Sequence, residues 1–508
     1  MDILEQIVEK RKEDIAKLGY DFGLPLPKER KRKIVPFVVQ KSVILEIKRA
    51  SPSKGDIAPS LDPISLAQNY RAAGAKAISV LTENHYFKGS LTDLCRVSEA
   101  ISDVSILRKD FILNEAEIDI AYRCGADAVL LISRILDEDK MVSMAKHCAS
   151  LGLTAFIEVR LEEDLQKLKC VASVVPSEFI VCGVNSRDLS DFSIDLLRPE
   201  FMFERIKNIL GKDARVVFES GILSAQAAQF AGSLGFTGLL LGEAAAKNPQ
   251  NAKDFVLSFT NANVNANANV NVNALFWKDY ANLLQKEKKP ILKICGLTNI
   301  EDALSAAVSG AAFLGCIFYA KSPRNCTENF VRELRQKLNS EEGENFPKIV
   351  GVVVDCTSLE AQLALKLLKE GILDAIQLHG KKAAEEFFAK PELNTLPHYI
   401  TVNVKTEDDL SYIQELRRLG EPRILLDSQL GEKIGGTGVS ISSDLVKKAS
   451  KGAKLWLAGG ISLQNIEQIL NYSPELIDVN SGIESVPGKK DMDKMLELTK
   501  CLESLRTL

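Results

Sequence analysis

The sequence predicts an α/β protein made of two fused (β/α)8 barrels in tandem, and three observations support that fold class. The chain has 508 residues, and one such barrel takes about 250. A low-complexity Asn/Ala/Val tract at 261–274 divides the chain into two parts of similar length. Each part contains eight short apolar runs that alternate with helical patterns, as repeated βα units do.

The first part opens on a helix and continues with eight predicted strands. Ile3, Leu4, Ile7 and Ile15 form an apolar helical face, so we expect an extra N-terminal helix before the first barrel. Most of the runs that follow are continuously apolar, which is typical of parallel strands covered on both faces. The runs are 43–48, 77–83, 105–111, 128–133, 154–159, 179–185, 215–221 and 238–243.

The second part repeats this pattern. Its apolar runs are 291–296, 311–318, 348–355, 375–380, 399–405, 423–427, 455–460 and 476–482. Eight βα units in about 250 residues fit a closed TIM barrel better than an open sheet. A doubly wound sheet is less favoured, because no GxGxxG motif follows an early strand in either part. We assign 1–260 and 288–508 to the two barrels, and 261–287 to an Asn-rich linker with a connecting helix.

Composition and charge exclude several classes of protein. Hydrophobic residues make up 46% of the chain, and the net charge is −4, so nothing indicates a nucleic-acid or membrane partner. No apolar run approaches the roughly 18–20 residues of a membrane span, and the N-terminal segment lacks the apolar core of a secretory signal. Ten cysteines without a CxxC pair, and four histidines, predict reduced thiols, no metal site and a cytoplasmic protein.

The active site of such a barrel lies at the C-terminal ends of its strands. Charged side chains there are costly to bury unless they are paired or used. Lysines and glutamates on one rim can transfer protons, because each shifts the pKa of the others. The alternative is that Lys48–Glu46 and Lys109–Glu158 are ion pairs that only stabilise the barrel. The candidates in the first part are Glu46, Lys48, Ser51, Lys109, Phe111, Glu158, Asn185, Arg187, Glu219, Ser220, Gly221, Gly242 and Glu243.

The second part places a thiol and a carboxylate on one rim. A thiolate can act as a base and a carboxylic acid as a proton donor, which suits proton transfer next to a carbonyl. A single cysteine is more often a small core residue, and a glycine turn need not hold a ligand. Several glycine turns on one rim nevertheless indicate phosphate binding. The candidates are Cys295, Arg324, His379, Asp427, Gly435, Gly436, Gly438, Gly459, Gly460, Ser481 and Gly482.

Both parts resemble known enzyme families. The first resembles indole-3-glycerol-phosphate synthase in the segments ILEIKRASPSKG, SVLTE, YFKGS, LRKDFI, GADAVLLI, FIEV, GVNSRDL, ESGI and LLLGEA. The second resembles phosphoribosylanthranilate isomerase in KICGLT, SPR, QLHG, LLD, GGTG, LAGGI, DVNSGIES and PGKKD. The likeness covers nearly the whole chain except the linker. It implies a bifunctional enzyme of tryptophan biosynthesis with no cofactor or metal, acting as a monomer on phosphorylated small molecules.

For the first part, the resemblance implies the steps that decarboxylate and cyclise an aminoketose to indole-3-glycerol phosphate. Lys109 is similar to the general acid for ring closure and dehydration, and Glu158 to its acid/base partner. Glu46 and Asn185 resemble residues that hold and deprotonate the intermediate. Lys48 resembles the contact to the carboxylate that leaves as CO2. Phe111 is expected to pack on the anthranilate ring, and the substrate and phosphate sites are expected to be lined by Ser51, Arg187, Ser220, Gly221 and Gly242.

For the second part, the resemblance implies an Amadori rearrangement of N-(5-phosphoribosyl)anthranilate to 1-(2-carboxyphenylamino)-1-deoxyribulose 5-phosphate. Asp427 resembles the general acid that opens the furanose ring, and Cys295 the base that takes the C2 proton. Arg324 is expected to meet the anthranilate carboxylate, and His379 to border the substrate. The glycine turns at 435–438, 459–460 and 480–482 are expected to hold the phosphate.

Two alternatives stay open. One barrel could have lost its activity, because Arg160, Ser186, Lys381 and the segment 440–442 depart from the usual family patterns. The chain could also be a non-catalytic binder of phosphorylated ligands. A binder needs the glycine turns but not the proton-transferring groups, so the presence of Lys109, Cys295 and Asp427 together favours an enzyme.

Overall fold

The computed structural model describes residues 3–52, 55–187, 193–262, 272–287, 290–340, 346–427, 443–450 and 454–504. The chain forms two compact units, and each contains a closed barrel of eight parallel strands. The predicted fold class is therefore confirmed. Each of the sixteen apolar runs overlaps one barrel strand, with the strand starts within two residues of those predicted, because parallel strands covered on both faces read as continuous apolar segments.

The first barrel closes where its first strand pairs in parallel with its second and its last. A short antiparallel hairpin, β2 and β3, follows the first strand. The strands of this unit are β1 (Ser42–Ile47), β2 (Ala50–Ser51), β3 (Gly55–Asp56), β4 (Ala77–Leu81), β5 (Ser105–Lys109), β6 (Ala128–Ile132), β7 (Thr154–Val159), β8 (Ile180–Asn185), β9 (Val216–Glu219) and β10 (Gly238–Leu241).

Helices follow the strands of the first barrel in turn. Asp62, Ser90, Asp137 and Ser224 begin four of them as N-caps, and the side chain of each accepts a backbone N–H bond of the first turn. The helices are α1 (Ile3–Leu18), α2 (Pro63–Ala72), α3 (Leu91–Ala100), α4 (Glu115–Arg123), α5 (Glu138–Ser150), α6 (Asp164–Ala172), α7 (Arg198–Leu210), α8 (Ala225–Ser233), α9 (Glu243–Lys247) and α10 (Ala252–Thr260).

The predicted extra N-terminal helix is present as α1 and is tied to the barrel by a buried arginine. Arg11 is 4% exposed. Its Nη2 lies 2.9 Å from Asp110 Oδ2 and 2.7 Å from Glu117 Oε1. Asp110 follows directly after Lys109, the last residue of β5, so this ion-pair network holds α1 at the C-terminal end of the barrel.

The second barrel repeats the architecture, and its first and last strands pair to close the ring. Its strands are β11 (Ile291–Cys295), β12 (Phe313–Ile317), β13 (Lys348–Val353), β14 (Ala375–His379), β15 (His398–Asn403), β16 (Ile424–Asp427), β17 (Trp456–Ala458) and β18 (Leu476–Val479), followed by the hairpin β19 (Glu484–Val486) and β20 (Lys489–Lys490). Its helices are α11 (Val272–Lys286), α12 (Ile300–Val308), α13 (Glu328–Ser340), α14 (Leu359–Lys369), α15 (Lys381–Phe388), α16 (Glu407–Leu419), α17 (Ser443–Ser450), α18 (Ile466–Leu470) and α19 (Met492–Ser504).

Helix α11, the connecting helix expected before the second barrel, packs on that barrel through aromatic rings. The ring centroids of Trp277 and Tyr280 lie 5.7 and 5.0 Å from that of Trp456. The indole N–H of Trp456 donates to the Tyr280 hydroxyl, which donates in turn to Glu475. The helix is therefore part of the second unit.

Among the described helices, none combines the length and the apolar character that crossing a membrane requires.

Replacing Trp277 by Ala should lower the free energy of unfolding of the second barrel by about 3–5 kcal/mol, because the fully buried indole would leave a cavity under α11. Trp277→Phe is the matched control and should cost much less, since the indole Nε1 makes no hydrogen bond within the described part of the chain. Trp277 and Trp456 are the two tryptophans of the chain. The fluorescence of Trp456 in a urea titration therefore reports this unit alone, and an unchanged midpoint in Trp277→Ala would contradict the prediction.

Candidate active sites

The C-terminal ends of the first barrel's strands surround a cavity, and Ile3, Leu4 and Ile7 of α1 form part of its wall. Nearly all candidates of the first part line this cavity. They are Glu46, Lys48, Ser51, Lys109, Phe111, Glu158, Asn185, Arg187, Ser220, Gly221, Gly242 and Glu243. The remaining candidate, Glu219, lies directly beside Lys109. The structure thus brings together residues from six of the eight strands or the segments that follow them.

Lys109 is surrounded by carboxylates at the bottom of this cavity. Its Nζ lies 3.1 Å from Glu46 Oε2 and 3.7 Å from Glu219 Oε2. Lys48 Nζ lies 3.4 Å from the other oxygen of Glu46, so the first of the two ion pairs in the alternative reading is present. The ion pairs of Lys109 in the described part of the chain are with Glu46 and Glu219.

These neighbours set the protonation states of the cluster. Burial lowers the pKa of Lys109, but the charges of Glu46, Glu219 and Glu158 outweigh burial and raise that pKa above its ordinary value. Burial would raise the pKa of Glu46, yet Lys109 and Lys48 hold it below the usual range.

The pKa values of the other two carboxyl groups, those of Glu158 and Glu219, are raised. Burial raises the pKa of Glu158, and burial together with the charge of Glu158 raises the pKa of Glu219 to about 8. Asn185 donates a side-chain hydrogen bond to Glu158. The cavity therefore holds an ammonium group, an ionised carboxylate and, in Glu219, a carboxyl group that retains a proton near neutral pH, and it can both donate and accept protons.

Glycines leave the space that these carboxylates occupy. A Cβ on Gly242 would lie 2.5 Å from Glu46 Oε1, and a Cβ on Gly183 would lie 2.0 Å from Glu219 Oε1. Ser220 and Gly221 have φ angles of 69° and 79°, and they form a left-handed turn at the cavity wall. Exposed backbone N–H groups in such turns suit a phosphate.

Glu83 and Phe87 also line the cavity, and neither was among the sequence candidates. Glu83 accepts backbone N–H bonds from His85, Tyr86 and Phe87 at 2.8, 2.8 and 2.9 Å. Phe87 lies 6.1 Å from Phe111 between ring centroids, and Lys48 Nζ lies 5.2 Å from its ring centre. The signal was available, because an acidic residue directly before a short loop commonly caps that loop's N–H groups.

In the second barrel, Cys295 and Asp427 end strands β11 and β16 on the same rim. Cys295 pairs in register with Gly315, and a Cβ on Gly315 would lie 2.6 Å from the thiol sulfur. Burial raises the pKa of Cys295, opposed chiefly by Lys293. Burial and the charge of Lys293 lower the pKa of His379 to about 4, so this imidazole is neutral at pH 7.

Arg324 is held on this rim by a carboxylate that the sequence analysis missed. Its Nε and Nη2 lie 2.8 and 2.6 Å from the two oxygens of Glu484. Lys490 Nζ lies 3.1 Å from the same carboxylate. A Cβ on Gly296 would lie 2.7 Å from Arg324 Cδ, so the glycine admits the arginine stem. Glu484 and Lys490 lie within the matched segments DVNSGIES and PGKKD, which was the available signal.

The glycine turns after β17 and β18 adjoin each other. Gly459 and Gly460 both have left-handed φ angles, of 92° and 62°. A Cβ on Gly482 would lie 2.0 Å from the carbonyl oxygen of Ile461, and Ser481 precedes this contact in the chain. The adjoining turns can present backbone N–H groups to one anion. The candidates Gly435, Gly436 and Gly438 lie outside the described residues.

Comparison with known proteins matches both halves to families. Residues 4–257 match "Indole-3-glycerol phosphate synthase", and residues 292–500 match "N-(5'phosphoribosyl)anthranilate (PRA) isomerase". The chain is 29% identical over 506 residues to "Tryptophan biosynthesis protein TrpCF" of Helicobacter pylori, which covers 98% of this chain and 99% of that protein. It is 31% identical over 468 residues to the protein of the same description from Vibrio cholerae, covering 91% and 86%.

A solved structure of phosphoribosyl anthranilate isomerase from Thermus thermophilus is also similar. It has 29% sequence identity and a TM-score of 0.36, and the match covers 42% of this chain and 100% of that one.

Replacing Glu83 by Ala should loosen the loop that carries Phe87, because three partly buried N–H donors lose their acceptor. Hydrogen bonds to a charged group contribute about 1.5–3 kcal/mol each, so amide exchange at His85, Tyr86 and Phe87 should accelerate by about tenfold or more. Hydrogen–deuterium exchange followed by mass spectrometry measures this. Glu83→Gln keeps one acceptor oxygen and should fall between the parent and Glu83→Ala; equal exchange in all three proteins would refute the role of Glu83.

Proposed function

Because the chain belongs to the family of fused indole-3-glycerol phosphate synthase and phosphoribosylanthranilate isomerase enzymes of tryptophan biosynthesis, we propose that its two barrels catalyse consecutive reactions with the residues described above. The second barrel isomerises N-(5-phosphoribosyl)anthranilate to 1-(2-carboxyphenylamino)-1-deoxyribulose 5-phosphate. The first barrel decarboxylates and cyclises that aminoketose to indole-3-glycerol phosphate. The observation that carries the proposal is the lysine–carboxylate cluster around Lys109, because a simple phosphate-binding protein has no use for it.

In the isomerase barrel, Asp427 protonates the ring oxygen of the furanose, and the C1–O bond breaks to give an iminium. Cys295, as a thiolate, removes the proton from C2, and the resulting enolamine rearranges to the aminoketose. Arg324 binds the anthranilate carboxylate, and its bidentate pairing with Glu484 fixes the guanidinium while one terminal nitrogen, Nη1, stays outside that pair. The glycine turns at 459–460 and 480–482 bind the phosphate together with the glycine-rich segment 435–438, and neutral His379 borders the substrate.

In the synthase barrel, the carboxylated ring carbon of anthranilate attacks the ketone carbon. Lys109 protonates the ketone oxygen as the carbon–carbon bond forms, and its raised pKa keeps it charged for that step. Lys48 holds the carboxylate until it leaves as CO2. Once Lys109 has been reprotonated from solvent, it donates the proton with which the hydroxyl group leaves as water. Glu158 accepts the proton released by the carbon between the nitrogen and the former ketone carbon, which completes the indole double bond.

The remaining residues of this site position the substrate. Glu46 and Asn185 hold the intermediate and assist its deprotonation, and Glu219 keeps Lys109 in place. Phe111 packs on the anthranilate ring, and the nearby Phe87 widens that aromatic surface. Arg187, Ser220, Gly221, Gly242 and the first turn of α9 at Glu243 surround the phosphate, while Ser51 lines the entrance.

The organisation of the chain follows from the same assignment. We propose a synthase barrel at 1–260, a linker and connecting helix at 261–287, and an isomerase barrel at 288–508, acting as a monomer in the cytoplasm. The substrates are phosphorylated small molecules, and the proposal includes no cofactor, metal, nucleic acid or membrane. The net charge of −4 supports the absence of a polyanionic partner.

Lys109→Met should abolish cyclisation and leave isomerisation intact, because it removes the general acid from one barrel only. Loss of a positioned acid–base group lowers the rate by about 10²–10⁴-fold. Given phosphoribosylanthranilate, this variant should accumulate the aminoketose without releasing CO2, as followed by mass spectrometry. Lys212→Met, on the opposite end of the barrel, is the matched control and should convert substrate to indole-3-glycerol phosphate at the parental rate.

Cys295→Ser and Asp427→Asn should each lower isomerisation by about 10²–10⁴-fold and leave the cyclisation of supplied aminoketose unchanged. Cys501→Ser in α19 is the control for removal of a thiol. An unchanged isomerase rate in Cys295→Ser would contradict the role of Cys295 as the base, and an unchanged rate in Asp427→Asn would contradict the role of Asp427 as the acid.

Mixing Lys109→Met with Cys295→Ser protein should restore formation of indole-3-glycerol phosphate, with a lag while the free aminoketose builds up. Each variant then supplies the step that the other lacks. If the mixture stays inactive although each variant retains its other activity, the division of labour between the barrels is wrong. If the parental chain itself stops at the aminoketose, the first barrel is inactive, which is the alternative left open by the sequence.

A further inference from the structure

The interior of the second barrel contains a lysine that the proposed mechanism does not use. Lys293 lies in the middle of β11, and its side chain is fully buried. Its Nζ lies 2.5 Å from Asp478 Oδ2 and 2.6 Å from Gln377 Oε1. Gln377 also accepts a hydrogen bond of 3.0 Å from the hydroxyl of Tyr399. Four strands therefore contribute one polar layer inside the barrel.

This layer lies directly beneath the rim of the isomerase site. Lys293 and Cys295 are two residues apart on one strand, so both side chains face the interior. Gln377 and His379 have the same relation on β14. Asp478 pairs in register with Lys293. The ammonium of Lys293 thus occupies the interior layer immediately below the thiol and the imidazole.

Stability alone is a weak reason for this arrangement. A fully buried ion pair can often be replaced by apolar residues of similar volume without loss of stability. A buried ammonium does, however, act strongly on neighbouring charges, because little water screens it.

We propose that Lys293 is a positioning residue of the isomerase site: its ammonium group, fixed from below by Asp478 and Gln377, supplies the positive charge that favours the thiolate form of Cys295. The proposal rests on the assignment of Cys295 as the base of the isomerase. It adds a residue that touches no substrate and acts through the thiol.

The groups that face Cys295 support this role. Burial raises the pKa of the thiol, and the charge of Lys293 is the largest opposing influence, whereas Asp478 raises the pKa and Lys490 lowers it. The same ammonium lowers the pKa of His379. One buried charge therefore favours an ionised thiol and a neutral imidazole on the same rim. The charged and titratable groups around Cys295 are Lys293, Cys316, Arg324, Tyr399, Asp478 and Lys490.

The test is the pH dependence of alkylation of Cys295 by iodoacetamide in the full-length chain, quantified on the peptide that contains it by mass spectrometry. Lys293→Met should move the midpoint of the alkylation profile upwards by about one pH unit or more, which corresponds to at least about tenfold less thiolate at neutral pH. Asp478→Asn removes the opposing negative charge and should move the midpoint downwards. Lys293→Arg keeps the positive charge and should restore the parental profile.

The opposite signs of these shifts separate the proposal from a structural role. If Lys293 and Asp478 only stabilise the barrel, both variants lose activity while their alkylation midpoints stay together or move in the same direction, and either result overturns the proposal. The acidic limb of the isomerase pH profile should follow the thiol midpoint in each variant. Cyclisation of supplied aminoketose by the other barrel should not change.

Two controls keep the outcome interpretable. If Lys293→Met does not fold, as tryptophan fluorescence of the second unit shows, the downward shift expected in Asp478→Asn decides alone, and an unshifted midpoint overturns the proposal. Failure of the proposed function gives a different result. In that case Cys295→Ser retains isomerase activity, whereas the alkylation midpoints still report whether Lys293 acts on the thiol.

Discussion

A charge inside a barrel is retained only where an opposite charge is held beside it, and both barrels of this chain are organised around one such buried lysine. Lys109 is compensated chiefly by the ionised carboxylate of Glu46, with Glu219 beside it, and Lys293 is compensated by Asp478. Removing one partner of a buried pair leaves an uncompensated charge, which costs about 3–5 kcal/mol. The position of each lysine in its strand and the identity of its neighbours are therefore fixed together.

The two barrels differ in how the buried charges are balanced, and this difference matches their chemistry. In the synthase cavity, the carboxyl groups of Glu46, Glu158 and Glu219 outnumber the ammonium groups of Lys48 and Lys109. Burial raises the pKa of both Glu158 and Glu219, and the charge of Glu158 raises that of Glu219 further, so these two groups hold protons to a higher pH than usual. In the isomerase barrel, one lysine meets one aspartate below the rim. The proton-transferring groups stand above this pair, where they respond to its field.

The sequence predicts the fold and the members of the sites better than it predicts their contacts. Strands that are covered on both faces are apolar throughout, so all sixteen could be located. Polar residues at strand ends marked the rims. The contacts of Lys109 with Glu46 and Glu219 could not be predicted, because neighbours across a rim depend on the stagger between strands, which no local pattern contains. Glu83 and Phe87 were missed because they lie on a loop. Lys293 was missed because the candidates were chosen at strand ends, and Lys293 lies two residues before the end of its strand at Cys295.

Several of the residues that fix the geometry of the two sites are glycines, which have no reactive side chain. Three glycines lie on or directly after a strand that is adjacent to the strand carrying a reactive side chain. They are Gly242, Gly183 and Gly315. A methyl group at these positions would collide with Glu46, Glu219 and the thiol of Cys295. Each reactive group therefore lies across the backbone of an adjacent strand, not free in the barrel lumen, and the hydrogen-bonded wall limits its movement. Such close support holds acid–base groups in position before the substrate arrives. The absence of a side chain at these three glycines is then as necessary to the proposed mechanisms as the lysines, carboxylates and thiol to which we assign the proton transfers.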